Sequence, residues 1–97
     1  MLRITPYAAG REYRIKLEGC LCGPWVAELG ACWIGAAIEQ PRRRIRVELA
    51  DVCYVDHRGR ELMTLMYRAG VHFTATGFVM PRIVREISTS VHRGRRN

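Results

Sequence analysis

Leu2 and Ile4 alternate with Arg3 and Thr5, the period of two that a half-buried strand shows. Pro6 confines that strand to an edge or ends it. After Gly10 the alternation returns in "EYRIKLEG" (12–19). Tyr13, Ile15 and Leu17 fall on one side, Arg14, Lys16 and Glu18 on the other, and Gly19 closes the second strand. The period then changes. In "GPWVAELGACWIGAAIEQP" (23–41), Trp25, Leu29, Cys32 or Trp33, and Ala36 recur at spacings of three and four, one face of a helix. Pro24 suits its first turn and Pro41 stops it. Gly30 and Gly35 weaken this helix and are expected to let it approach the sheet closely.

"RIRVELADVCYVD" (44–56) is the most apolar strand. Ile45, Val47 and Leu49 alternate, and then Val52–Val55 run on as in a strand buried on both faces. "HRGRELMTLMYRAG" (57–70) is a second helix, with Leu62, Met63, Leu65, Met66 and Ala69 inward and Gly70 as its C-cap. Val71, Phe73 and Ala75 make a short strand, and Gly77 turns the chain. "MPRIVREI" (80–87) is a third helix with Ile83, Val84 and Ile87 inward. "STSVHRGRRN" shows no periodicity, so the domain spans 1–88 and residues 89–97 form a frayed, disordered basic tail. The order β-β-α-β-α-β-α predicts an α/β fold: a single-layer mixed sheet of about four strands with helices mainly on one face.

Length adds that the 97 residues make one domain. Charge changes the picture less than its size suggests. The formal net charge is +7, yet Arg42, Arg43, Arg44, Arg46, Arg93, Arg95 and Arg96 account for all of it. The excess sits in one loop-to-strand stretch and one tail, not along a helix face as in a nucleic-acid footprint. The start of the chain lacks an apolar export signal. The longest apolar run, "ACWIGAAI", is far below the ~20 residues of a spanning helix. A soluble, cytoplasmic protein without membrane contact is expected. Cys20, Cys22, Cys32 and Cys53 are then free thiols. Cys32 and Cys53 sit in apolar patterns as small core residues, and Cys20-x-Cys22 lacks the second ligand pair a zinc site needs.

The candidate chemistry lies where the third strand meets the second helix, at Asp56, His57, Arg58, Gly59, Arg60 and Glu61. An aspartate there caps free helix N–H groups and faces the positive end of the helix dipole. Glu61, taken as part of the first turn, gains from the same dipole. Capping needs no function. Catalysis needs a nucleophile and a pocket, and no Gly-x-Ser-x-Gly, Walker loop or His-Glu-x-x-His occurs. An enzyme is not expected, nor a cofactor or metal.

The stretches "LEGCLCGPWVAEL", "RIRVELADVCYVDHRGRELMTLM" and "GVHFTATG" together resemble a STAS domain, the module of sulfate transporters and anti-sigma-factor antagonists, in its stand-alone bacterial type. The resemblance covers residues 2–87. Asp56 and Gly59 match its strand–Asp–x–x–Gly–helix junction, and Leu17 and Gly19 match a shorter motif. It implies a non-catalytic switch module acting in transcription regulation. In the bacterial antagonists, a kinase phosphorylates the serine or threonine just before that glycine. Here the position holds Arg58, which cannot be esterified in that way, and Cys22 stands where a loop aspartate is common.

The first reading is therefore a partner-switching module. Its contact surface would comprise Asp56, His57, Arg58, Gly59 and Arg60 with the nearby loop 20–24, including Cys22, and Trp25, and its partner would be an anti-sigma factor or kinase-like protein. The chain lacks the closing strand some members carry, which leaves an open edge for a homodimer. The alternatives are a small nucleic-acid-binding protein using Arg42, Arg43 and Arg44, less favoured because no basic helix face or aromatic platform accompanies them, or a module weakly binding a nucleotide or another small ligand.

Overall fold

The computed structural model describes residues 1–77 and 79–94. Its elements are β1 (Leu2–Ala9), β2 (Glu12–Leu21), α1 (Pro24–Glu39), β3 (Arg44–Val55), α2 (His57–Arg68), β4 (His72–Thr74) and α3 (Val79–Gly94). One sheet has the strand order β1-β2-β3-β4. β1 and β2 are antiparallel, while β2–β3 and β3–β4 are parallel. The mixed sheet and three helices are those the hydrophobic pattern predicts.

One face of the sheet supplies Ile15, Leu17, Leu21, Val47, Leu49, Val52 and Val55, all buried, and the helices close over it with Leu29, Ala36, Met63, Met66, Met80, Ile83 and Ile87. No charged or polar side chain is buried among the described residues. The opposite face is polar. Glu12 joins Arg14 and Arg46 there, Lys16 stands 4.0 Å from Asp51, and the Tyr7 hydroxyl donates to Glu48.

β1 is an edge strand, as Pro6 requires, and runs on to Ala9 because its outer side has no ladder partner, where a missing N–H costs no bond. Several other expectations are corrected. β2 passes Gly19 and ends at Leu21. Gly19 adopts φ 112° as the backbone passes against Met1, whose carbonyl accepts from the Cys20 N–H at 3.0 Å. Gly30 does not bring α1 closer to the sheet: a Cβ there would meet only Leu62 of α2, at 3.7 Å, and one at Gly35 would meet nothing within 4 Å.

The run Val52–Val55 is not buried on both faces. Val52 and Val55 are buried, while Cys53 and Tyr54 are exposed. The cause is register. Lys16 pairs with Glu48 but Glu18 with Asp51, and Gly19 pairs with Val52 but Cys20 with Tyr54. β3 thus carries one extra residue at each of two bulges, and each bulge resets which face a side chain takes.

In α2, Met63 and Met66 are fully buried and Leu62 partly so, but Leu65 and Ala69 are exposed. Ala69 is the C-cap, and Gly70, one residue further at φ 95°, makes a Schellman ending. Gly70 N–H donates to Tyr67 and Val71 N–H to Met66. The short strand is His72–Thr74. The tail assigned to 89–97 is helical as far as Gly94, and 95–97 lie outside the described residues. Val91 continues the stripe Met80, Ile83, Ile87 and is 3% exposed. The Tyr67 hydroxyl lies 3.0 Å from Ser88 Oγ and 3.1 Å from His92 Nε2, which ties this turn to α2.

Candidate functional site

At the C-terminal ends of β2 and β3, both strands turn directly into helices. Asp56 is the N-cap of α2, with extended backbone at φ −81° and ψ −179°. Its Oδ1 accepts the Gly59 N–H at 2.7 Å, the local cap its position predicts. Its Oδ2 accepts the N–H of Gly23, the N-cap residue of α1, at 3.0 Å. The Asp56 N–H donates to the Leu21 carbonyl at 3.1 Å. One carboxylate therefore fastens the start of α2 to the start of α1. The Gly23 and Gly59 N–H groups hold its pKa below the ordinary aspartate value.

Gly59 is fixed by the same geometry. A Cβ at this position would lie 2.8 Å from the Leu21 carbonyl oxygen and 2.8 Å from Val55 Cγ1. Only a glycine lets α2 start so close to β2. Gly23 meets a different demand: it adopts φ 57°, where side chains are disfavoured, with open space around it.

The remaining side chains divide into two sets. His57 and Arg58 are exposed on the first turn of α2. His57 Nε2 lies 2.7 Å from Glu61 Oε1 on the next turn, so Glu61 serves as a partner for the imidazole and lies beyond the first turn where a dipole role was expected. Arg58 forms no ion pair within 4.0 Å among the described residues. Arg60 is engaged differently: its Nη1 meets Glu86 of α3 at 2.9 Å and braces the two helices. Trp25 is half-buried and packs on the core, while Cys22 is half-buried in the β2–α1 loop. His57, Arg60, Thr64, Glu86 and Ser90 border an open cleft between α2 and α3.

Arg42, Arg43 and Arg44 lie at the opposite end of β3, where the chain enters the strand. Arg46, further along β3, is bound to Glu12 at 2.7 Å. The structure therefore brings Asp56, His57, Arg58, Gly59 and Cys22 to one end and leaves the three-arginine turn at the other. Gly23 lies in the loop expected beside the site, but its bond to Asp56 was not expected. A contact across 33 residues leaves no local spacing to find. No group of three or more potential metal-ligating side chains occurs among the described residues, and no helix among them is long and apolar enough to cross a membrane.

No family model and no curated protein matches the chain. Among solved structures, that of the anti-sigma factor antagonist SpoIIAA in its unphosphorylated form superposes with a TM-score of 0.69 at 17% identity, covering 98% of this chain and 100% of that one. The fold is the STAS fold. On that fold, the junction that carries the resemblance in sequence, Asp56 to Gly59, is the point where two helix starts are clamped together. The position before the glycine carries a fixed positive charge, Arg58.

Proposed function

We propose that the chain is a non-catalytic, protein-binding STAS module of the anti-sigma-antagonist kind, acting in a partner-switching system of transcription regulation. Its docking surface is the start of α2 with the adjoining β2–α1 loop. The observation that carries this reading is the Asp56 clamp, which joins Gly23 and Gly59 and makes two segments from different parts of the chain into one platform. Preorganisation of this kind lowers the ordering cost of association. His57 and Arg58 project from that platform, and Trp25 with Cys22 flanks it. Because Arg58 holds the position before Gly59, binding here is not switched by a phosphoester at that residue. A permanent guanidinium beside a helix N-terminus selects a partner with an acidic patch. The partner is a regulatory protein such as an anti-sigma factor or a kinase-like protein.

Affinity capture from native cell lysate, with wild type beside Arg58→Glu, tests this. A kinase-like or sigma-regulating protein retained by wild type and lost from Arg58→Glu supports the surface. The same protein retained equally by both removes it. Nucleic acid retained by both and released at high salt transfers the function to Arg42, Arg43 and Arg44.

A further inference from the structure

The cysteines pair in a way their spacing conceals. Cys53 is the extra residue of the second bulge in β3 and faces solvent on the open side of the sheet, not the core. Cys20 lies beside it on β2, and the two sulfurs are 3.1 Å apart. Cys53 Sγ also donates to the Gly19 carbonyl at 3.4 Å, which holds its side chain over β2. The two thiols sit on adjacent, hydrogen-bonded strands, whose spacing of about 4.8 Å lies within the range of Cα separations that a disulfide spans. The place is specific as well. Cys20 lies three residues before Gly23, and Cys53 three residues before Asp56. The sulfur pair and the Asp56 clamp therefore bridge the same two strand ends, at equal distances along both chains.

We propose that Cys20 and Cys53 form a reversible intramolecular disulfide, a redox modification site at the base of the α1 and α2 starts, with a peroxide as the oxidant. Cys53 is the more exposed of the two residues and meets the peroxide first. Its thiolate attacks one peroxide oxygen, the O–O bond breaks, and the sulfur becomes a sulfenic acid as one water leaves. The Cys20 thiolate then attacks that sulfur, the S–S bond forms, and hydroxide departs to become the second water. Two thiols lose two hydrogens and one peroxide yields two waters. A solvent-exposed bond of this type is open to reduction by a small dithiol. The Cys53 contact raises the pKa of the Cys20 thiol, which favours reaction at mildly alkaline pH.

Intact-mass spectrometry and non-reducing peptide mapping of the full chain, after hydrogen peroxide at mildly alkaline pH, provide the test. Wild type and Cys22→Ser are expected to lose two hydrogen atoms, give one peptide pair joining Cys20 to Cys53, and return to the starting mass with dithiothreitol. Cys20→Ser and Cys53→Ser are expected to give no such pair. A bond joining Cys20 to Cys22, a covalent dimer through Cys53, or oxygen addition with no linkage overturns the assignment. The readout is a mass, so it stands or falls independently of any partner binding at α2.

Discussion

Replacing Gly59 with alanine puts one methyl group into the tightest point of the platform. In an unconstrained helix interior this change stabilises by about 1 kcal/mol. Here the new carbon would stand 2.8 Å from the Leu21 carbonyl oxygen, 2.8 Å from Val55 Cγ1 and 3.2 Å from Asp56 Oδ1. Carbon contacts are comfortable at about 3.5–4.0 Å. The neighbours cannot easily give way. Leu21 O is backbone and already holds the Asp56 N–H at 3.1 Å, and the branched Val55 side chain, 6% exposed, is stiff at χ1. Relief must come from lifting the first turn of α2, which lengthens the 2.7 Å bond from Gly59 to Asp56. Overpacking of this kind costs about 1–3 kcal/mol, and two immovable neighbours place Gly59→Ala toward the upper end. After the helix-propensity gain, a net loss of about 1–2 kcal/mol remains, equivalent to a fall in Tm of roughly 5–10 °C for a domain of this size. Differential scanning calorimetry measures it directly. A Tm equal to or above that of wild type would refute the claim that glycine is required here by close approach.

The same substitution at Gly35 is expected to act in the opposite direction. A Cβ there meets nothing within 4 Å, so Gly35→Ala should stabilise the protein by about 0.5–1 kcal/mol in urea unfolding, and any loss of stability would contradict the open surroundings of that position. Asp56→Asn should be less stable than wild type at neutral pH, because the amide presents one oxygen to two N–H donors. Since the two N–H groups depress the Asp56 pKa in the folded state, the charged-form contribution is fully present above the unfolded aspartate pKa and is lost as pH falls through the folded one. The gap between the two proteins should hold from neutral pH down to about pH 5 and narrow below about pH 4; a gap independent of pH would show that the charge is not what matters.

What could be read from sequence divides by distance along the chain. The Asp56 cap on Gly59 spans three residues and followed from its place before the helix, whereas the His57–Glu61 pair, four residues apart, was passed over for a dipole role. The element order and the inward Met63 and Met66 followed from periodicity alone. Three contacts joining parts of the chain 26 to 33 residues apart did not: Asp56 with Gly23, Cys20 with Cys53, and Arg60 with Glu86. Two local misreadings have local causes. Bulges in β3 broke the two-residue period and made Val52–Val55 look buried on both faces. In α3, Ser88, Thr89 and Ser90 hid a helical stripe that Val91 continues four residues after Ile87.

The strand order also bears on how the chain reaches its fold. Position in the sheet follows position in the sequence, β1-β2-β3-β4, so no strand has to be inserted between two that are already paired. Each strand adds to the free edge left by the one before it, beginning with an antiparallel hairpin closed by only Gly10 and Arg11. A sheet of this kind can grow in the direction in which the chain leaves the ribosome, with each crossover helix available to cover the strand just added. The last strand, only three residues long, is the last to join.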